Sequence, residues 1–104
     1  MEPEKLKAII VAHRLWIDKK KGGIRANFQG KNLSDIIAEL DFSNSNLTNT
    51  NLTGADLTGA DLTGADLTNA KFIDANLTAA NFTGANKTGT NFSGADLTQA
   101  HNVY

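Results

Sequence analysis

Residues 51–69 read NLTGADLTGADLTGADLTN, with a leucine every five positions at Leu52, Leu57, Leu62 and Leu67. A period of five fits neither an amphipathic helix, whose apolar residues recur at i, i+3, i+4 and i+7, nor a flat strand, which alternates. The spacing runs on in both directions through Phe42 and Leu47 before the stretch and Phe72, Leu77, Phe82, Phe92 and Leu97 after it, and only Lys87 breaks it. Two residues before each large one stands a small residue, among them Ala55, Ala60, Ala65, Ala70, Ala75, Ala80, Ala85 and Ala95. The residue just before it is Asp or Asn in most repeats, and the residue just after is usually Thr or Ser, often followed by Gly.

A short extended segment closed by a tight turn satisfies this pattern. Residues i and i−2 share a side on a strand, so the large residue and the alanine point the same way. Gly, Asn and Asp tolerate the turn. Four such corners close a square coil of about 20 residues, and coils stacked at about 4.8 Å form a solenoid with one interior column.

The tandem motif A-[D/N]-[L/F]-[T/S]-G, as in ADLTG, ANFTG and ADLTQ, resembles the pentapeptide repeat family over about residues 26–104. The resemblance implies an all-β solenoid, a right-handed quadrilateral β-helix, here of about four coils, with an N-terminal α-helix as cap. It turns the central Leu or Phe and the preceding Ala inward and the other three positions outward. The structural core is then Phe42, Leu47, Leu52, Leu57, Leu62, Leu67, Phe72, Leu77, Phe82, Phe92 and Leu97. Each such burial contributes roughly 1.5–3 kcal/mol, and alanine at i−2 avoids overpacking. The interior is expected to hold no polar network and so no catalytic groups. Residues 20 apart stack, so the columns before the large residue read Asp41–Asp61–Asn81–His101, Asn46–Asp66–Asn86, Asn51–Lys71–Asn91 and Asp56–Asn76–Asp96.

The chain divides into a capping helix with linker at residues 1–24 and a β-helix at residues 25–104, together one structural domain. From Pro3 to about Lys20, the residues Leu6, Ile9, Ile10, His13, Trp16 and Ile17 share one helical face. Pro3 suits a first turn, Lys19, Lys20 and Lys21 suit the negative end of the dipole, and Gly22 or Gly23 offers the stop. This helix is expected to lay Trp16 and its neighbours over the first coil. The rival reading, a membrane- or partner-binding amphipathic helix, would remove an apolar stripe the coil needs. Between Leu33 and Phe42 the register slips, and either Ile37 or Ala38 fills the inward position, with Leu40 in place of the usual small residue. At the far end, Lys87 and Asn102 fall on inward positions of the last coil, where Lys87 can snorkel out of the open end. That end could pair with a second copy, as the resemblance allows, although its two polar residues argue against a dry interface. Monomer and C-terminal end-to-end homodimer both stay open.

Other chemistry is missing from the sequence. There are no cysteines, so disulfides and thiolate chemistry are excluded. The longest apolar run, Ala8 to Ala12, is too short for a membrane span or a signal-peptide core, and a bacterial cytoplasm is the default location. His13 and His101 lack partners at metal spacing, the aspartates do not form an acid–base pair, and no phosphate-cradling loop is present. No cofactor, metal or catalytic residue is assigned, and the chain is not expected to be an enzyme. Seven N-x-[ST] sequons, at Asn32, Asn46, Asn51, Asn76, Asn81, Asn86 and Asn91, are by-products of the repeat. The KKKGGIR cluster reads as a solvated helix end, which speaks against direct nucleic-acid binding.

These readings favour a structural or protein-interaction scaffold with an unknown protein partner and no membrane. One alternative is a DNA mimic that binds DNA gyrase or topoisomerase, as the resemblance suggests. Four coils give roughly 19 Å of rod at about 4.8 Å per coil, over which a duplex carries about 11 charges. Residues 32–104 carry −6, with 8 acidic and 2 basic side chains, while residues 1–31 carry +5, with 8 basic and 3 acidic. A second alternative is ice binding through the threonine columns Thr48–Thr68–Thr88, Thr58–Thr78–Thr98 and Ser43–Thr63–Thr83. Threonine is also a good strand residue, and the near-perfect GADLT run fits a natural and an idealised protein alike.

Overall fold

The computed structural model describes residues 3–17, 19, 21 and 41–103, without the side chains of Pro3, Leu6, Arg14 and Ile17. The expected register slip between Leu33 and Phe42 falls on residues 34–40, which lie outside the described residues, as do the Gly22 or Gly23 stop and the boundary at residue 24. So do the expected placements of the Leu6 and Ile17 side chains.

Residues 41–103 wind so that each residue preceding an inward one pairs in parallel with the residue 20 positions on, from Asp41 with Asp61 to Asn81 with His101. The repeat Asp66–Ala70 shows why the period is five. The N–H of Asp66 donates down to Ser45 O at 3.0 Å, and that of Leu67 donates up to Asn86 O at 2.8 Å. Thr68 N–H donates to Asp66 Oδ1 at 3.1 Å. The N–H of Asn69 donates up to Thr88 O at 2.9 Å, and that of Ala70 closes the turn on Leu67 O at 2.9 Å. Five donors thus have five acceptors, and the five-residue unit leaves none of its backbone N–H groups unpaired.

The turn has its left-handed residue two positions after the inward one. Glycine fills that place at Gly54, Gly59, Gly64, Gly84, Gly89 and Gly94, and Asn44, Asn49, Asn69, Asp74, Ala79 and Gln99 fill it elsewhere. Positive φ at the third turn residue is what a type II turn demands.

Inside the coil, Phe42, Leu47, Leu52, Leu57, Leu62, Leu67, Phe72, Leu77 and Phe82 are buried, with the alanines from Ala55 to Ala80 between them. Phe72 and Phe92, one above the other, stack at 5.4 Å, and Phe82 meets both edge-on from the opposite wall. The interior also takes in isolated hydroxyls. Ser45, Thr50 and Thr90 take alanine places, and Ser45 and Thr50 are fully buried. Hydroxyls fit there because turn carbonyls face them: Ser45 Oγ donates to Phe42 O at 2.5 Å and Thr90 Oγ1 to Leu67 O at 2.7 Å.

Helix α1 spans Pro3–Ile17. It stops short of Lys20, because Lys19 adopts φ 56° and returns its N–H to Trp16 O at 3.1 Å. A left-handed residue just past the last turn ends a helix, and here a lysine takes the place usually given to glycine. Ile9 and Ile10 pack against the coil's core. His13, only 1% exposed, directs Nε2 to Ser43 O. Trp16 stacks on His13 at 5.6 Å and is 40% exposed. Its expected place over the first coil falls on residues outside the described ones.

On the last described coil Ala85, Phe92, Ala95, Leu97 and Ala100 are only partly buried. Lys87 Nζ donates to Asn102 O at 3.0 Å. Asn102 does not point inward, contrary to the column expectation. It takes φ 56° and is exposed, its amide donating to Thr83 Oγ1 at 2.8 Å. Val103 turns into the core in its stead. An amide loses less by staying wet than a valine does, and the left-handed residue comes at Asn102, two positions before the place the five-residue spacing would give it.

Candidate functional site: the outward faces

The outward faces are built from a repeated clamp. The Asp or Asn before each inward residue turns Oδ1 over the backbone and accepts the N–H of the Thr or Ser after it. Asn46 does so for Thr48 at 3.0 Å, Asp61 for Thr63 at 3.0 Å and Asn81 for Thr83 at 3.0 Å. In most repeats the hydroxyl donates to the same oxygen, as Thr68 does to Asp66 at 2.6 Å and Thr98 to Asp96 at 2.6 Å. Short polar side chains that bond their own backbone two residues on favour this conformation. The motif's [D/N]-x-[T/S] is therefore a structural staple, a role the sequence reading left unassigned. The signal was present, because Asx at i and a hydroxyl at i+2 recur together.

The clamp also tunes charge. The Thr58 hydroxyl and N–H hold the Asp56 carboxyl below its ordinary 3.8, and Thr98 does the same for Asp96. One repeat lacks the device: Lys71 and Ile73 flank Phe72, with neither carboxyl nor hydroxyl.

The faces differ in sign. One carries the column Asp41–Asp61–Asn81–His101, the next Asn46–Asp66–Asn86, the third Asn51–Lys71–Asn91 and the fourth Asp56–Asn76–Asp96. His13 sits buried against Ser43 and His101 lies exposed on the first face, so the structure does not bring the two histidines together. Among the described residues no group of three or more His, Cys, Asp or Glu could hold a metal ion. No described helix is long and apolar enough to cross a membrane.

The pentapeptide repeat profile matches residues 38–74 and 60–99, in eight copies. This chain belongs to the pentapeptide repeat family. Its square coil is the right-handed quadrilateral β-helix of that family, and the inward Leu or Phe with its clamp is the repeat's central unit.

No curated protein sequence matches this pentapeptide repeat chain. Among solved structures it is similar to HetL, a pentapeptide repeat protein involved in heterocyst differentiation regulation in the cyanobacterium Nostoc sp. strain PCC 7120. The identity is 25%, over 74% of this chain and 53% of HetL, with a TM-score of 0.49. A pentapeptide repeat protein of the cyanobacterium Cyanothece 51142 is 31% identical, over 74% of this chain and 60% of its own, with a TM-score of 0.41. Another from Nostoc PCC 7120 is 31% identical, over 82% and 71% of the two chains, with a TM-score of 0.47. This chain thus spans less than two thirds of the first two.

Proposed function

We propose that this pentapeptide repeat chain is a non-catalytic scaffold that presents flat, pre-ordered faces to a protein partner. The observation that carries this reading is the clamp. Outward Asp, Asn, Thr and Ser side chains are held against their own backbone, so a partner has little side-chain entropy to remove on binding. In this reading residues 1–24 cap a β-helix of about four coils at residues 25–104. Ile9 and Ile10 packed on the core support that division. The scaffold works in a bacterial cytoplasm, as a monomer or as an end-to-end homodimer.

The two rival readings have less support. A gyrase-binding DNA mimic needs dense, unbroken negative charge, whereas Lys71 interrupts one face and asparagine dilutes the others. Ice binding needs ranks of free hydroxyls, whereas most threonine hydroxyl protons here are donated to Oδ1.

The test is capture from the source cell with wild type and with two face variants, Asp61→Lys/Asp66→Lys and Asp56→Lys/Asp96→Lys. Loss of a specific partner with one variant and its retention with the other supports a face-reading scaffold. A captured set that is the same for all three proteins overturns it.

A further inference from the structure

The four walls of the coil do not use the clamp alike. On the second wall the hydroxyls of Thr48, Thr68 and Thr88 all donate to the clamping Oδ1, and on the fourth so do those of Thr58, Thr78 and Thr98. The first wall has such bonds from Ser43 and Thr83. The third wall has none among the described residues. There Asn51 takes only the N–H of Thr53, at 3.1 Å, and Asn91 only that of Ser93, at 2.9 Å. Between them Lys71 and Ile73 replace the clamp altogether.

Those two residues are exceptions for the whole coil. Lys71 is the one lysine, and Ile73 the one large aliphatic, among its described outward positions. Lys71 is exposed, and no described residue forms an ion pair with its ammonium. Ile73 is half-buried, with Thr53 on the coil below and Ser93 on the coil above. Asp74 follows at the corner, its Oδ1 turned up against Gly94. Around that corner the fourth wall carries Asp56 and Asp96. A cation, an aliphatic and an anion thus follow one another along one rung, with hydroxyls outside the clamp on either side.

We propose that this rung of the third wall binds an extended segment of a partner protein whose alternate residues are acidic, apolar and basic. The proposal rests on the scaffold reading and names the wall and the chemistry of its partner. In an extended chain, side chains two residues apart share a side and lie about 6.6 Å apart at roughly 3.3 Å per residue. Lys71 and Ile73 are two residues apart on one wall. A segment laid along the rung therefore sets a carboxylate on Lys71 and an apolar side chain on Ile73 together. Its next residue on the same side reaches the corner, where Asp74, Asp56 and Asp96 favour lysine or arginine. The Thr53 and Ser93 hydroxyls flank the segment as donors to its carbonyls. Opposite charges at the two ends of the rung fix the register of the partner. The other walls offer neither an aliphatic contact nor an outward lysine among the described residues.

The test selects a random heptapeptide library displayed on phage against immobilised wild type and against Lys71→Asp/Ile73→Thr. That variant rebuilds the Asp-x-Thr pair of neighbouring repeats, so the coil is expected to keep its melting temperature. Enriched peptides are expected to hold Asp or Glu, an apolar residue two positions away and Lys or Arg two beyond that. They should bind the variant about tenfold or more weakly than wild type. Should the variant fail to fold by circular dichroism, Lys71→Asn alone, which makes its column uniformly asparagine, gives the same readout. Asp56→Lys/Asp96→Lys should weaken the same peptides, and Asp61→Lys/Asp66→Lys should not. No enriched peptide, enriched peptides without that order, or equal binding to wild type and folded variant overturns the proposal. Where the peptides fail while a cellular partner is still lost from one of the two wall variants, the third-wall site falls and the scaffold reading stands.

Discussion

Asn44 Oδ1 lies directly beneath Gly64 of the next coil, so close that a Cβ on Gly64 would overlap it. Asn69 stands in the same relation to Gly89, and Asp74 to Gly94. By contrast, a Cβ on Gly84 would meet only the backbone of Gly64, at 3.9 Å. All of these glycines have positive φ, and Asn44, Asn69 and Asp74 make a second demand on Gly64, Gly89 and Gly94.

That difference is measurable. Gly84→Ala should cost about 1 kcal/mol for the left-handed backbone alone. Gly64→Ala should cost more, because Asn44 must also turn away, by roughly another 1 kcal/mol. In an Asn44→Ala background the excess should vanish. A double-mutant cycle by urea unfolding gives the coupling, and equal costs at both glycines would refute the relationship.

Ala79 and Gln99 occupy the same left-handed corner without glycine's freedom, at φ 61° and 59°. Ala79→Gly is expected to stabilise the fold by about 0.5–1 kcal/mol, since the strain relieved exceeds the entropy added to the unfolded chain. The melting temperature should rise. Most glycine substitutions lower it, so the sign alone is diagnostic.

The clamped carboxylates predict an acid limb. Asp56 and Asp96 have folded values below 3.8, mainly because the Thr58 and Thr98 hydroxyls donate to them. A depressed value means that their contribution is fully present above 3.8 and fades as pH falls through the folded value. Unfolding midpoints should therefore be flat above about pH 5 and drop below pH 3.8. Asp56→Asn/Asp96→Asn should shallow that drop, because Asn76 makes the same clamp between them as an amide.

Interior position should grade the cost of truncation. Leu67→Ala removes a fully buried side chain between two coils and should cost about 2–5 kcal/mol. Leu97→Ala, on the partly open last coil, should cost less than half of that. Equal losses in chemical denaturation would mean that the last coil is covered in solution.

The five-residue spacing of Leu and Phe was enough, without coordinates, to establish a square coil and to name its inward residues. A period that matches no regular element leaves few ways to bury every fifth side chain. Local chemistry such as the Asx clamp was equally present in the [D/N]-x-[T/S] pattern, because its partners lie two residues apart. What only stacking settled are relationships across a full turn of the coil. Asn44 against Gly64, Thr90 bonded to Leu67 O and Asn102 anchored on Thr83 all depend on that third dimension. So does the choice of His13 rather than Trp16 to meet Ser43. Each pairs residues far apart in the chain, and their energies come from contact, which a linear pattern does not encode.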